Sequence, residues 1–341
     1  MRQFDAVVVG AGAGGLTVLD DLVKAGLRAA LIERDRPGGD CTFRGCVPTK
    51  TLLRSAQVAH LARRAGEYGI HVGEVTVDFD ENRSRKDRII AELSENGSFQ
   101  PFEDRGITVF RGSARFVAER ELEVNGERVR GEHVVLATGS RPSLPPIPGL
   151  AGAEVMTSIG ALDLEELPGR LVVIGGGPIG LEFAQLFARL GSEVTVLVTG
   201  AHILPHEDAD LAALLQRYLE EEGVAIHLET TVERVERDSQ GTFVVTRSGG
   251  SPRRFRADRI LVATGRDATS EDLSLGRGGV RTDDDGWIQV DGQQRTSAVN
   301  TWAVGDCTGG LKFTHVADYM GRVAGHNILH PERPITADLR V

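Results

Sequence analysis

The chain has 341 residues and a mass of 36.7 kDa, with 40% apolar and 26% charged residues, a globular composition with room for about two domains. Its net charge is −10 and it carries no sustained Lys/Arg cluster, which argues against nucleic acid and anionic membrane as partners. Three cysteines exclude a disulfide-rich secreted framework, and no apolar run approaches the ~20 residues a bilayer span needs.

Met1 to Leu19 pairs a basic residue with an apolar stretch, as a signal peptide does. Asp5 interrupts it, however, and Asp20-Asp21 stands where cleavage would fall. The chain is therefore read as cytoplasmic. Phe4 to Val9 is an apolar run of strand length, followed at once by Gly10-Ala11-Gly12-Ala13-Gly14-Gly15. Leu16 to Ala25 has helical spacing with Leu16, Leu19, Leu22 and Val23 on one side, Gly26 stops it, and Leu27 to Ile32 is a second strand ending in Glu33. This is strand, G-x-G-x-x-G, helix, strand, acid. Gly10 permits the tight turn, Gly12 lets a pyrophosphate approach the backbone, and Gly15 lets helix and strand pack closely. The phosphates would sit on the helix N-terminus, and Glu33 is placed to accept from a ribose hydroxyl. A Gly-rich structural turn is the plainer alternative.

Gly38-Gly39-Asp40-Cys41-Thr42-Phe43-Arg44-Gly45-Cys46-Val47-Pro48-Thr49-Lys50 comes next, with its cysteines spaced C-x4-C, and a helix is expected from near Cys46 towards Ala65. In a regular helix these two positions lie too far apart for a disulfide, so a bond would need a distorted first turn, which Gly45 and Pro48 promote. A helix N-terminus also favours the thiolate. A redox pair, two buried thiols and half of a zinc site all fit the spacing; Cys307 stands alone and supplies no second Cys pair.

Val77 to Glu103 contains a charged helical stretch, and Ala114 to Val135 reads as short strands with an Asn-Gly hairpin at Val124-Asn125-Gly126-Glu127. The phosphate-binding device then recurs. Leu171 to Ile174 is a strand, Gly175-Gly176-Gly177-Pro178-Ile179-Gly180 is a second G-x-G-x-x-G, Leu181 to Leu190 is its helix, and Glu193 to Val198 is its second strand. Two fingerprints 165 residues apart imply two dinucleotides, most simply for passing electrons from one to the other. Val198 stands where Glu33 stands in the first copy, followed by Thr199 and Gly200; the absent acid leans the donor towards NADPH without excluding NADH. A meander over Val232 to Ile260 turns at Gly249-Gly250-Ser251-Pro252.

The stretch Gly38 to Lys50 resembles the signature of the class I pyridine nucleotide–disulfide oxidoreductases, the family of dihydrolipoamide dehydrogenase, glutathione reductase and mercuric reductase. The resemblance covers nearly the whole chain. Ala137-Thr138-Gly139-Ser140-Arg141-Pro142 with Ile147-Pro148-Gly149 resembles the crossover from an FAD domain to an NAD(P)H domain, and Ala263-Thr264-Gly265-Arg266 resembles the return. Gly177 to Glu182 resembles the nicotinamide-side motif, Thr301 to Asp306 the last FAD motif, and Leu311 to Ala317 the segment beneath the flavin. Asp40 and its neighbours look closest to mercuric reductase-like and dihydrolipoamide dehydrogenase-like members. The implied fold is α/β with two Rossmann-like domains. An FAD-binding domain over 1–148 and 266–341 is interrupted by an NAD(P)H-binding domain over 149–265.

The resemblance also implies roles. The catalytic set would be Cys41, Cys46, Lys50 and Glu182. Cys46 would be the sulfur beside the flavin and Cys41 the interchange thiol. Lys50 would lie near flavin N5 as a buried ammonium paired with Glu182 of the other domain. Glu33 would hold the adenosine ribose and Asp306 the ribityl chain, while Ala114 and Thr138 would line the adenine and pyrophosphate path. Further cofactor contacts fall to Gly10, Gly12, Gly14, Gly15, Gly39, Asp40, Lys50, Gly139, Gly175, Gly177, Ile179, Gly180, Gly265, Arg266 and Thr314. No metal site is expected. Cys307 reads as packing and His315 as a structural residue near the flavin.

Family members continue beyond the point matching Val341 as an interface domain that forms the homodimer and supplies a His–Glu pair to the partner's active site. That domain is expected to be absent, which leaves the oligomeric state open, a monomer included, and the chain is either a piece of a longer protein or a natural short form. His330-Pro331-Glu332 lacks the family spacing, since Ile335 stands where the acid belongs. The implied activity is electron transfer from NADPH or NADH through FAD to a Cys41–Cys46 disulfide, and on to a small-molecule disulfide or a metal ion. The second half-reaction is expected to be impaired for want of a general acid–base. An NAD(P)H diaphorase or oxidase, and a non-catalytic flavin-binding fragment, are the alternatives.

Overall fold

The computed structural model describes residues 1–94, 97–152, 154–248 and 251–339. The chain divides into two units. One holds Met1–Phe43, Ala91–Arg141 and the chain from Arg266 onward; the other holds Arg44–Ile90 and Pro142–Gly265.

In the first unit, β1 (Arg2–Val9), α1 (Ala13–Lys24) and β2 (Ala29–Glu33) form the expected βαβ turn, followed by the short helix α2 (Gly39–Phe43). The alternation of the strands sends Val7 and Val9 to one core and Ala6 and Val8 to the other. Both faces of the sheet are therefore covered, which is why the run reads as continuously apolar. On α1 the buried residues are Gly14, Gly15, Val18, Leu19 and Leu22, with Leu16 and Val23 only partly covered.

The other elements of this unit, with the remaining ones of the second unit numbered between them, follow in chain order. The second unit contributes α3 (Cys46–Arg63) and most of α4 (Phe79–Ser94), and the chain returns with α5 (Gln100–Asp104), β3 (Thr108–Arg111), β4 (Ala114–Ala118), β5 (Glu121–Val124) and β6 (Glu127–Leu136). Asn125 and Gly126 make the β5–β6 turn with φ of 51° and 85°, the left-handed pair that an Asn-Gly hairpin requires. After β7 (Ser140–Pro142), the second unit runs through β8 (Val155–Met156), α6 (Ser158–Leu162), β9 (Arg170–Ile174), α7 (Pro178–Leu190), β10 (Glu193–Leu197), α8 (Ala209–Glu221) and β11 (Ala225–His227). It ends with β12 (Thr231–Asp238), β13 (Gly241–Ser248), β14 (Ser251–Ala257) and β15 (Arg259–Val262). Then come β16 (Arg266–Ala268), β17 (Thr301–Ala303) and α9 (Thr314–Leu329).

The large sheet of the first unit has the order β3-β2-β1-β6-β5-β4 with β17 also on β6; β3, β2, β1, β6 and β17 are parallel, while β5 and β4 fold back antiparallel. The second unit repeats the plan in a sheet ordered β11-β10-β9-β15-β8, all parallel, and adds the antiparallel meander β12-β13-β14. Gly249 and Gly250 of the expected meander turn lie outside the described residues.

The division at 141–142 lies near the 148–149 boundary read from the motifs, but residues 44–90 group with 142–265. Leu52 and Ala56 of α3 belong to the same core as Phe183, Ala184 and Phe187 of α7, which explains that grouping. Lys86 of α4 is 5% exposed and donates from Nζ to Leu162 O at 2.7 Å, a burial its charged surroundings in sequence do not announce.

Helix α1 is drawn onto the sheet where no side chain could fit. A Cβ on Gly15 would lie 2.1 Å from Gly10 O, whereas a Cβ on Gly12 would meet nothing within 4 Å. Gly15→Ala should therefore cost at least about 2 kcal/mol of stability in urea denaturation, and Gly12→Ala less than about 1 kcal/mol. Equal losses at the two positions would contradict this account.

Candidate active site

The first phosphate loop is built from contacts to the strand beyond it. A Cβ on Gly10 would sit 2.2 Å from Ala137 O, so the loop presses directly on the start of the Ala137-Thr138-Gly139 segment. Gly14 is similarly tight, with Ala317 O of α9 2.9 Å from its missing Cβ. Gly12 caps α1 without a side-chain acceptor, so the first-turn amides face the loop's open side. Glu33 closes β2 with its carboxylate already oriented: Ala11 N donates to Oε2 at 2.7 Å and Asp35 N to Oε1 at 2.8 Å. Each oxygen keeps a lone pair for a hydroxyl donor. Thr138 Oγ1 is buried and takes no hydrogen bond. Amides for an anion, a held carboxylate for a diol and an unsatisfied hydroxyl are together what a dinucleotide phosphate and ribose require, so the donor set fits FAD.

The cysteine segment is fastened to this loop. Gly38 N donates to Ala11 O at 2.8 Å, and Gly39, at φ 63°, comes so close that its Cβ would be 2.8 Å from Gly12 Cα. From there α2 carries Asp40 and half-buried Cys41. The helix ends at Phe43, Gly45 is non-helical, and Cys46 opens α3 half-buried, so each cysteine stands on its own helix. The helix expected from near Cys46 towards Ala65 is α3, and a separate short helix, α2, precedes it.

Lys50 lies one turn into α3. Its Nζ donates to both oxygens of Glu182 on α7, at 2.6 and 2.9 Å. The ion pair expected from sequence is formed. The expected burial is not: the two side chains are 59% and 38% exposed, and both belong to the second unit. Position 50 lies on the outer side of α3, opposite the Leu52 and Ala56 face that enters the core.

A polar cluster joins four motifs of the first unit. Arg266 Nε donates to Ser140 Oγ at 2.6 Å, and its Nη2 donates to Ser140 O at 2.8 Å and to Asp40 Oδ2 at 2.7 Å. The Ser140 hydroxyl donates to Asp306 Oδ2 at 2.7 Å. Thr269 Oγ1 secures the neighbouring backbone by donating to Thr138 O and Gly139 O at 2.6 and 2.9 Å.

The second loop copies the first atom for atom in its tight contacts. A Cβ on Gly175 would lie 2.4 Å from Ala263 O and one on Gly180 2.3 Å from Gly175 O, while Gly177 has open space and caps α7 without a side chain. Pro178 opens the helix and Ile179 is 36% exposed beside the loop. Val198 is buried against Gly176, whose Cβ would meet it at 2.7 Å, and Glu229 N donates to Gly200 O at 3.0 Å. This donor set fits a second dinucleotide phosphate and offers no carboxylate at position 198.

Comparison with known proteins agrees with this double plan. The model of the family described as pyridine nucleotide-disulphide oxidoreductase matches residues 4–321. The chain belongs to that family. It is 33% identical over 327 residues to a mercuric reductase of Bacillus cereus, covering 96% of this chain and 52% of that protein. It is 36% identical over 334 residues to a dihydrolipoyl dehydrogenase of Chlamydia trachomatis, covering 96% and 70%. The solved HOCl-induced flavoprotein disulfide reductase RclA from Escherichia coli superposes with a TM-score of 0.85 at 35% identity, covering 97% of this chain and 72% of that one. The chain thus spans about half the length of the mercuric reductase. Pyridine nucleotide-disulphide oxidoreductases use FAD and NAD(P)H, and RclA is a flavoprotein.

For a member of this family, the other predicted positions fall as follows. Ala114 starts β4 and is buried in a core, Asp306 lies in the tight turn Gly305–Thr308, and Thr314 begins α9 on the exposed side. Gly139 and Gly265 follow the two Ala-Thr pairs, with open space at each missing Cβ. His315 is exposed and stacks on Phe313 with ring centroids 5.5 Å apart. Sequence reasoning missed Ser140 and the joining role of Arg266, because nothing local links residues 40, 140, 266 and 306. It also treated Ala137 and Ala263 as crossover markers; the recurrence of one Ala-Thr-Gly after each fingerprint was the available signal that they wall the loops.

Cys307 is packing, as expected. It is fully buried, and its Sγ donates to Val304 O at 3.3 Å and Leu136 O at 3.5 Å. Burial pushes its thiol up to about 11, against the main-chain donors of Thr138 and Gly139 that would favour the thiolate. The native protein at pH 8 should therefore leave Cys307 unlabelled by an aromatic disulfide reagent, with labelling appearing on unfolding. Because the unfolded thiol loses its proton first, this group's contribution to stability should fall as pH rises from about 9 towards 11. Rapid native labelling, or stability rising over that range in comparison with Cys307→Ala, would contradict the assignment.

Proposed function

We propose that the chain carries the cofactor-binding and redox-cysteine parts of an FAD-dependent, NAD(P)H-linked disulfide oxidoreductase. The observation that supports this most is the junction of Gly38 and Gly39 with Ala11 and Gly12, which joins the cysteine segment to the first of two like phosphate loops. The first unit would hold FAD and the second NAD(P)H.

FAD, when bound, accepts two electrons from NAD(P)H and passes them to a disulfide. The protein's own groups do the rest. Amides of the loop at Gly10 to Gly15 would bind the flavin pyrophosphate, and Glu33 would accept from the adenosine ribose hydroxyls. Asp306 would accept from the ribityl chain, its Oδ2 oriented by the Ser140 hydroxyl. The loop at Gly175 to Gly180 binds the pyridine nucleotide, with Ile179 bordering it. Val198 presents no carboxylate to repel a ribose phosphate, which favours NADPH over NADH. Lys50, its ammonium oriented by Glu182, places positive charge one helical turn from Cys46 and so favours the thiolate there.

In the reductive half, the Cys41–Cys46 bond breaks. NAD(P)H, one proton and the disulfide become NAD(P)⁺ and two thiols, and Cys46, the sulfur that would adjoin the flavin, releases its proton to stand as the thiolate. In the second half, Cys41 gives up its proton and attacks an acceptor disulfide, expelling one of its sulfurs, which takes that proton; the Cys46 thiolate then attacks Cys41, restoring their bond and expelling the acceptor's second sulfur as a thiolate. A metal ion is the other acceptor class. The mercuric reductase and dihydrolipoyl dehydrogenase relatives are named for these two classes of chemistry. A cytoplasmic location accords with a reducible cysteine pair, and among the described residues no helix is long and apolar enough to cross a membrane.

Anaerobic titration with NADPH and with NADH, followed by absorbance, tests the reading and ranks the two donors. Uptake of four electrons is expected, with a long-wavelength thiolate–flavin band at the two-electron stage. Cys46→Ser should abolish that band with flavin retained, and Cys41→Ser should lower disulfide turnover by at least about 100-fold. Two-electron uptake without the band would instead indicate a diaphorase, and protein that binds no flavin would refute the proposal.

A further inference from the structure

Asp40 immediately precedes Cys41, and a carboxylate beside a thiol opposes formation of the thiolate. The carboxylate is not left alone. Arg266, whose side chain is 17% exposed, meets it at 2.7 Å from a position 226 residues away in the chain. The same guanidinium is held from behind by both oxygens of Ser140, so it cannot swing away without breaking two further hydrogen bonds. Its Nε also lies 3.7 Å from Asp306 Oδ2. The charges around α2 are thus Asp40 on the helix, Arg266 on β16, Asp306 in the turn behind it, Arg44 just past the helix, and Arg36, whose guanidinium lies 3.9 Å from the Phe43 ring centroid.

We propose that Arg266 is a positioning residue for Cys41: by pairing with Asp40 it cancels the carboxylate charge that adjoins the thiol and holds the turn of α2 that carries it. This rests on the reading of Cys41 as the interchange thiol. Without Arg266, the cluster keeps two carboxylates and loses its one shared cation. Lysine would restore the charge but not the fork, because Nε and Nη2 engage Ser140 and Asp40 together.

Flavin-loaded protein, reduced and then alkylated with iodoacetamide over a range of pH, tests this by mass spectrometry. Trypsin cuts after Arg44 and Lys50, so Cys41 and Cys46 fall in different peptides. Arg266→Met should slow Cys41 alkylation at neutral pH by about three- to tenfold and move its profile to higher pH. Arg266→Lys should keep the wild-type profile in large part, and Asp40→Asn added to Arg266→Met should restore it. A Met variant with the wild-type profile, or a double variant that stays slow, would overturn the proposal. Should Arg266→Met fail to fold, Asp40→Asn alone decides: faster alkylation is expected, and an unchanged rate overturns the proposal. Alkylation of Cys41 without prior reduction would overturn the disulfide reading instead, and would leave these profiles readable.

Discussion

Everything in the proposed site hangs on two places where a methyl group has no room. In the first unit, the meeting of β1, α1 and the segment after β6 leaves 2.2 Å between Ala137 O and a Cβ on Gly10, and 2.1 Å between Gly10 O and one on Gly15. Those contacts pin the N-terminus of α1 to the sheet, and the pinning turns its amides to the open side of the loop. The cysteine segment is then seated on the loop through Gly39 and Gly12. The second unit reproduces both contacts at 2.4 and 2.3 Å. One packing requirement, met twice, sets where two dinucleotides could lie and where one of the cysteines is carried.

That requirement is also why so much was legible. A position with no space for a side chain must be glycine, so the geometry appears in the sequence as a spacing. The Asn125-Gly126 turn was readable for the same reason, since its left-handed backbone restricts residue type. What escaped the sequence has no local signature. Lys86 sits in a charged stretch and is buried only because α4 lies against the end of α6. Residues 44–90 group with 142–265 through apolar contacts of α3 and α7 that many residue choices could satisfy. Arg266 joins motifs more than a hundred residues apart, and only folding brings them to one guanidinium.

The ion pairs differ in what they can contribute. Arg189 and Glu222 meet through two 2.6 Å hydrogen bonds with side chains 16% and 15% exposed. Burial would raise the Glu222 carboxyl, but the Arg189 partner prevails and holds it below the usual carboxylate range. Such a pair binds α7 to the end of α8 and is costly to break. Lys50 and Glu182 are far more exposed, and solvent limits their pairing to at most about 1 kcal/mol of stability. In the proposed function their value would lie in where they put an ammonium, one turn from Cys46, rather than in holding helices together.

The two loops present their anion donors from the main chain, with Gly12 and Gly177 supplying no side chain at the helix caps. A main-chain amide survives every substitution except proline. Drift in the sequence can therefore erode the packing that aims these donors but cannot readily delete the donors themselves. In the proposed function, diversification is pushed outward, to positions such as Asp40, Val198 and the surroundings of Cys41, where a changed side chain would alter which partner is accepted while the main-chain grip on the nucleotides stays the same. A lineage built this way can exchange acceptors many times over and still be recognised by its glycines.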